Sequence, residues 1–480
     1  MNEKATKRGY LLVLILVYGA IFLLVFSAFI GYIVTQSRLS ANKLIKEQAL
    51  EVAEAGLNYY RWFLAHNPGN ATNGTGLPGP YVHDFYDPEG GKIGEFSLEI
   101  ASSTACGDVY ALDITSTGYL TEDPDLYRTV YGRYAQPTVA EYSYIINSNV
   151  WAGSDRQIIG PYHSNGAIRM DGTNYSTVTS GQETWVCDGS MSCSPTTTGG
   201  TVSGVFGNGP NDHLWSFPSP PINFTGLTVD LSAMQTKAQT GGGLYIAPSG
   251  NYGYRIVFNA NGTITVYRVT GTTQYWGYTA EAGWAQERHV ISATTLVGTY
   301  TIPTACSLIF VEDKVWLEGT VSGKVSIAAA DVDTAGVNPQ IILNNNITYA
   351  SATSGLLAIA EQDVLVGLSV PDTMTLNGIF IAQNGRFGRN HYCQNDCTGT
   401  AGDQGLPGAL DPYYSRSSLT VNGTIVSNGR EGTKWTSGGA FISGFQNRTN
   451  SYDRDLVADP PPLTPEVSDT YRFIEWREVE

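Results

Sequence analysis

The sequence predicts a mainly β protein carried on one long N-terminal α-helix. The helix holds a single membrane-spanning segment, a small antiparallel sheet follows it, and a large ectodomain patterned like a right-handed parallel β-helix comes last. Three observations predict this: an uninterrupted apolar run at the start, an amphipathic run directly behind it without a helix breaker, and a long region of short apolar segments punctuated by Asn-Gly. A β-sandwich is the alternative for the last region, because Asn-Gly is also the favoured hairpin turn.

Residues 1–9 form a short leader and residues 10–66 one helix. No charged residue occurs between Gly9 and Val34, and a helix rising ~1.5 Å per residue makes that run long enough to cross a ~30 Å hydrocarbon layer. Lys4, Lys7 and Arg8 precede it, so the positive-inside rule leaves the N-terminus in the cytoplasm and the rest of the chain outside. The apolar core of a cleaved secretory signal is usually only ~7–15 residues and ends at a small-residue site, which is absent here. From Ser37 to Ala65 there is no proline, and Ala41, Ile45, Ala49, Val52, Gly56, Tyr60 and Phe63 recur at three- and four-residue steps on one stripe. Asn67-Pro68-Gly69 ends the helix. The product is a rod of about 55 residues and roughly 80 Å, apolar over 10–34 and amphipathic over 37–65. Glu51 and Glu54 lack an opposite charge three or four residues away, so they face water or a partner.

This rod resembles the N-terminal helix of type IV pilins, and most closely that of PilX-like minor pilins. The residues that carry the likeness are Lys7-Arg8-Gly9 followed at once by Tyr10 and the apolar run, together with Ala49-Leu50-Glu51-Val52-Ala53-Glu54-Ala55-Gly56-Leu57, in which A-E-A-G-L closes an alanine-rich turn. The resemblance implies cleavage by a prepilin peptidase between Gly9 and Tyr10 and N-methylation of Tyr10. Leu14 stands where most pilins carry a glutamate, a residue PilX-like members often lack.

Residues 67–138 follow as a small antiparallel β region. The loop NPGNATNGTGLPGP leads into alternating segments at 96–100, 109–115 and 127–134, read as three strands packed on the outer half of the helix. Residues 139–458 form the solenoid-like ectodomain. LNGIFIAQNGRF (376–387) nearly repeats as VNGTIVSNGRE (421–431), and the phrase around Asn165-Gly166 echoes both, so each rung should stack its Val, Ile and Leu on its neighbours. Residues near 220–300 read as an insertion with a short helix at 228–239 and a hairpin joining 253–258 to 262–267. Residues 459–480 supply a stiff Asp-Pro-Pro-Pro strap and a final strand that docks back on the body.

Composition bounds function. With 15% charged residues, 54 glycines, 29 tyrosines and 42% apolar residues, the chain suits short strands and tight turns rather than disorder. A net charge of −16 excludes nucleic acid as a natural partner. The pairs Cys187/Cys193 and Cys393/Cys397 read as short disulfide loops, leaving Cys106 and Cys306 as a long-range pair. Zinc is the rival for Cys393/Cys397 with His391 nearby. No nucleophile elbow, zinc-protease helix, P-loop or dinucleotide fingerprint occurs, so no catalytic, metal or cofactor residue is assigned. A glycosidase reading would use carboxylate pairs such as Asp331/Asp333 and Glu361/Asp363, which fall on one strand face but are expected by chance among 43 acidic residues, and His163 reads as a turn or packing residue. Trp151, Trp185, Trp276 and Trp435 are the candidate surface-binding aromatics, with Trp215 and Trp284 in similar Gly/Ser/Thr-rich surroundings.

The expectation is a membrane-anchored, pilin-like surface protein, non-catalytic and without cofactor, serving as a minor pilin or a pilus-associated adhesion or assembly subunit. Its partners would be membrane lipid, other pilins or pilus-assembly proteins, and a glycan or cell-surface ligand. The alternative is a membrane-anchored carbohydrate-active enzyme of β-helix type, a lyase or glycosidase. A plain envelope component using the helix only as an anchor is a third reading.

Overall fold

No proline interrupts residues 6–66, and they form one α-helix, α1 (Thr6–His66). The computed structural model describes residues 6–67, 70–191, 193, 201–224, 230–334, 337–394 and 405–479. They divide into two units, one of Met1–Ser102, Ala111–Tyr134 and Glu475–Glu480, the other of Ser103–Tyr110 and Ala135–Ile474.

The first unit packs the C-terminal part of α1 on a five-stranded sheet. In spatial order the strands are β1 (Tyr81–Tyr86), β2 (Lys92–Ala105), β3 (Asp108–Leu120), β4 (Arg128–Ala135) and the C-terminal strand Arg472–Val479. Two of the three expected strands lie within β2 and β3, the third matches β4 except that β4 begins one residue later, at Arg128, and the two outer strands complete the sheet. The β2–β3 turn places both Cys106 and Gly107 at positive φ, the geometry of a tight two-residue hairpin. Ala49, Val52, Ala53, Leu57 and Tyr60 are buried, whereas Ala41, on the predicted stripe, is exposed. Small residues bring helix and sheet together. A Cβ on Gly118 of β3 would lie 2.3 Å from the Ala53 nitrogen and 2.4 Å from the Ala49 oxygen, and one on Gly56 would lie 2.2 Å from Ser116 Oγ. The A-E-A-G-L turn is therefore the place where the helix backbone approaches the sheet most closely.

The second unit is a stack of short parallel strands. One ladder runs Leu244–Ile246, Leu308–Val311, Lys324–Ala329, Gly355–Ala360, the end of Thr373–Ala382, the end of Ser415–Ser427, Tyr144–Ile146, Tyr162–Ser164, Val178–Ser180 and Trp215–Ser216. A second joins Tyr254–Asn259, Val315–Val321, Ile341–Tyr349, Val364–Val366 and Phe387–Gly388. A third joins Thr373–Ala382, Ser415–Ser427, Ala440–Ser451, Arg156–Ile159 and Thr173–Asn174. Parallel rungs exclude the β-sandwich, whose sheets are antiparallel. Ile309, Ile327, Ala358, Phe380, Ile425, Tyr144, Tyr162 and Val178 are successive register partners and form one buried column. The opposite side of the first ladder is covered as well, by the helix Leu231–Thr240 and residues such as Val139 and Leu456, so these strands are apolar runs rather than alternating ones.

The near-repeat proves to be two adjacent rungs in register, Leu376 against Val421 and Gly378 against Gly423. Both glycines have positive φ, and a Cβ on Gly423 would lie 1.9 Å from the Gly378 oxygen, so this corner admits only glycine. Asn422 Nδ2 donates to Asn377 Oδ1 at 3.0 Å on the same corner. Most of the Asn-Gly pairs thus make solenoid corners, while Asn261-Gly262 makes the expected hairpin. That hairpin pairs Tyr254–Asn259 with the start of Thr263–Thr279, and its first strand is itself a rung; its second strand runs on well past the predicted end and pairs with Gly283–Thr301 in a second, long hairpin that the sequence did not reveal. The proline run is not a straight strap: Thr464 N–H donates to the Pro461 oxygen across a turn in which Leu463 has positive φ.

Stacking order differs from chain order. The chain enters the stack in its middle at Tyr144, builds outward to Ser216, returns to the far end at Leu244 and winds back until Ile425–Ser427 pairs with Tyr144–Ile146. This seam carries a cluster of charge. Arg156 and Glu431 form an ion pair with both side chains 1% exposed, and Arg156 Nη1 donates to Tyr144 Oη at 2.5 Å. Arg448 donates twice to Asp155, at 2.8 and 2.9 Å, with Lys434 Nζ 3.2 Å away. Burial alone would raise the Asp155 carboxyl, but the hydrogen bonds and charge of Arg448, backed by Lys434 and Arg156, outweigh it and hold it at about 2. Asn147 Nδ2 donates to Asn428 Oδ1 at 2.9 Å, and Asn165 Nδ2 to Asn147 Oδ1 at 2.8 Å, carrying an asparagine ladder across the junction.

Two outcomes follow for stability. Gly118→Ala should destabilise the first unit by about 1–3 kcal/mol through overpacking against α1, read as a lower urea midpoint, and an unchanged midpoint would refute the close approach. Glu431→Gln should cost about 3–5 kcal/mol because it strands the buried Arg156 charge, whereas Arg156→Met combined with Glu431→Leu should cost less than the single change.

Candidate functional site

The sequence-predicted candidates lead to two surfaces among the described residues, the bare part of α1 and an aromatic cluster on the solenoid. From Tyr10 to Leu44 every side chain of α1 is exposed, and Ile45 is the first to be even half-buried. The helix is long and apolar enough to cross a membrane. The Gly9–Tyr10 bond lies within its first turns. The apolar run ends at Thr35, whose Oγ1 donates back to the Gly31 oxygen at 2.9 Å. Glu51 is exposed and Glu54 half-buried, and neither forms an ion pair with a described residue, whereas the exposed Lys43 and Glu47 lie 3.8 Å apart.

The predicted aromatics separate by environment. Trp185 is buried, not on the surface: its Nε1 donates to the Ser203 oxygen at 2.9 Å, so the indole loses no hydrogen bond, and Ala167, Cys187 and Met191 pack around it. Trp151 is half-buried, donates to Asp171 Oδ2 at 2.8 Å and lies under the Arg169 guanidinium, 5.1 Å from the ring centroid. Trp215 donates to Asn174 Oδ1 at 3.2 Å. Trp276 lies on the long hairpin opposite Gln286. Trp435 and Trp284 both meet the rings of Tyr278 and His391.

At the tip of the long hairpin Tyr278 and His391 exchange backbone hydrogen bonds of 3.0 Å in both directions. Tyr278 lies 5.5 Å from Trp284 and 5.6 Å from Trp435, and His391 lies 5.5 Å from Trp284 and 5.8 Å from Trp435, all half-buried. Trp435 Nε1 donates to the Arg389 oxygen at 2.8 Å, and His391 Nδ1 lies 2.6 Å from Ser443 Oγ. Burial pushes the His391 ring down to about 4. Beneath this cluster Glu287 is held by Asn390 and by Tyr392 Oη at 3.1 Å, and burial raises its carboxyl. Sequence reasoning missed Tyr278 and His391 as members; the bridge that unites them joins positions far apart in the chain.

The remaining candidates serve the fold. His163 is buried, with Nδ1 2.8 Å from Thr179 Oγ1 and Nε2 2.9 Å from Asn165 Oδ1, and burial lowers its pKa. Glu361 Oε2 accepts the Asp331 N–H at 2.9 Å, Asp363 Oδ1 accepts the Arg386 N–H at 2.8 Å, and Gln235 Nε2 donates to Asp333 Oδ2 at 2.9 Å. Cys106–Cys306 and Cys187–Cys193 are disulfides. Cys393 is also disulfide-bonded, which removes the thiolate a zinc site requires, and Cys397 lies outside the described residues. No group of His, Cys, Asp and Glu among the described residues is placed to hold a metal.

No protein-family model matches the chain, and no curated protein sequence does. Among solved structures the chain is similar to the competence-associated pilin ComZ from Thermus thermophilus, with 13% identity, 91% of this chain and 97% of that chain covered, and a TM-score of 0.29. An overlap that loose carries no assignment.

The His391 environment has a pH signature. An unfolded histidine ring binds a proton near 6.5 and the folded His391 ring only near 4, so its stabilising contribution is complete above about 6.5 and is lost as the pH falls toward about 4. His391→Phe should flatten the pH dependence of the unfolding midpoint across that window, and an unaltered slope would show that the ring is not desolvated.

Proposed function

We propose that the chain is a membrane-anchored, pilin-like surface subunit: a minor pilin or a pilus-associated adhesion or assembly subunit that presents a β-solenoid and performs no catalysis. The observation that carries this reading is the division of labour within α1. Its C-terminal turns are buried on the sheet from Ala49 onward, while the apolar residues 10–34 are exposed all round the helix among the described residues. So large an apolar surface is stable only in lipid or against other helices. The Lys7-Arg8-Gly9-Tyr10 junction and the A-E-A-G-L contact with the sheet agree with a pilin-type helix. The non-catalytic reading is supported by the corner hydrogen bonds that occupy Asp331, Glu361 and Asp363.

The N-terminal sequence and mass of the mature protein from its native membrane test the proposal. A mature start at Tyr10 carrying one methyl group is expected. An intact Met1 would refute pilin-type processing and leave a plain anchor, and a start beyond Val34 would refute anchoring by the helix.

A further inference from the structure

The long hairpin crosses the second ladder of the solenoid as a strap, pinned where Val269 and Ile291 pack on Trp316, Ile342 and Leu365. Beside that pin the pairing of the two hairpin strands breaks register: Gly271 pairs with Ala293 and Thr272 with Ile291, leaving Ser292 as an extra residue. Such bulges lift a strand and re-aim its side chains. Under the lifted strand lies an open cleft of about 320 Å³, walled on one side by residues 290–294 and on the other by Arg255 and Asn344, from the rung strands on either side of Val315–Val321, and by Ser369, just past Val364–Val366.

The chemistry of the walls defines what fits. Glu318, beneath the cleft with its side chain 7% exposed, receives Arg255 Nε at 2.7 Å and Asn344 Nδ2 at 2.8 Å, and Arg255 Nη2 closes the pair. The Arg255 guanidinium also lies 5.3 Å from the Tyr267 ring centroid. The positive charge is thus already matched, and the network fixes the orientation of both donors. What it leaves unspent is Arg255 Nη1, Asn344 Oδ1 and the hydroxyls of Ser292, Thr294 and Ser369, none of which bonds to any described residue. A volume equal to about ten water molecules, at ~30 Å³ each, exceeds a single ion and lies at the small end of ligand pockets. Convergent donors and acceptors without net charge complement a ligand that offers both along one edge.

We propose that this cleft is a binding site for a neutral, hydroxyl-rich ligand of monosaccharide size, with Asn344 and Arg255 orienting it and the strap hydroxyls closing over it. The inference rests on the cleft alone and holds whether or not α1 enters a filament. The test is saturation-transfer NMR on the full chain in a sugar-free amine-oxide detergent, with glucose, galactose, mannose and N-acetylglucosamine as probes and glucuronate and inorganic phosphate as charged comparators. Transfer to at least one neutral sugar is expected, abolished by Thr294→Trp, which fills the cleft from an exposed position, and weakened about tenfold by Asn344→Ala through the loss of an orienting hydrogen bond. No transfer to any of the four neutral sugars, transfer confined to glucuronate or phosphate, or wild-type binding in both variants would overturn it.

Discussion

A parallel rung cannot bury its own inner face, and this constraint governs the larger unit. Its three short strands enclose a core only when rungs above and below complete the backbone ladder and the inward columns. Most rungs find that neighbour one turn away in sequence, as Leu376 finds Val421. Tyr144–Ile146 does not, because its neighbour is Ile425–Ser427. Ordinary apolar stacking would accept a shifted register there, since one Ile or Val column resembles another. The buried Arg156–Glu431 pair, the Arg448–Asp155 fork and the asparagine ladder accept only one, so polar groups that add little net stability define how the two stretches meet.

The smaller unit follows a different logic, the close approach of two backbones. Ala49, Ala53 and Gly56 on the helix and Gly118 on β3 remove the side chains that would hold the elements apart, and Leu57 and Tyr60 fill the space beside them. A helix seated in this way is rigidly placed at one end and bare at the other. That is why a single uninterrupted α1 combines an ordinary globular contact with an apolar surface suited to lipid or neighbouring helices.

Much of this was legible in the residues. The apolar run, the amphipathic stripe and the Asn-Gly spacing gave the helix, its buried face and the rung repeat, because each depends on local periodicity. One strand of the sheet escaped notice, Tyr81–Tyr86, which is short and polar on one side; the strand Arg472–Val479 was legible, but its place beside β4 was not, because it pairs with residues distant in the chain. The rung order escaped for the same reason, since nothing local marks Tyr144 as a point of entry. The strap was visible only at its base, where Ile and Val alternate; beyond Arg268 its Thr, Gly and Tyr residues carry no clear period. Trp185 misled because composition cannot reveal that its indole finds Ser203. The cleft could not be read at all, since Arg255, Asn344 and Ser369 share no motif and converge only through stacking.

The mid-stack entry at Tyr144 has a consequence for biogenesis. During synthesis the rungs from Tyr144 to Ser216 emerge long before Ile425–Ser427, the strand that completes their ladder. For that interval they present an open parallel edge, the kind of surface that pairs with other chains. The late-made segment 425–451 therefore closes an edge that the early-made segment carries unpaired until most of the chain has been made.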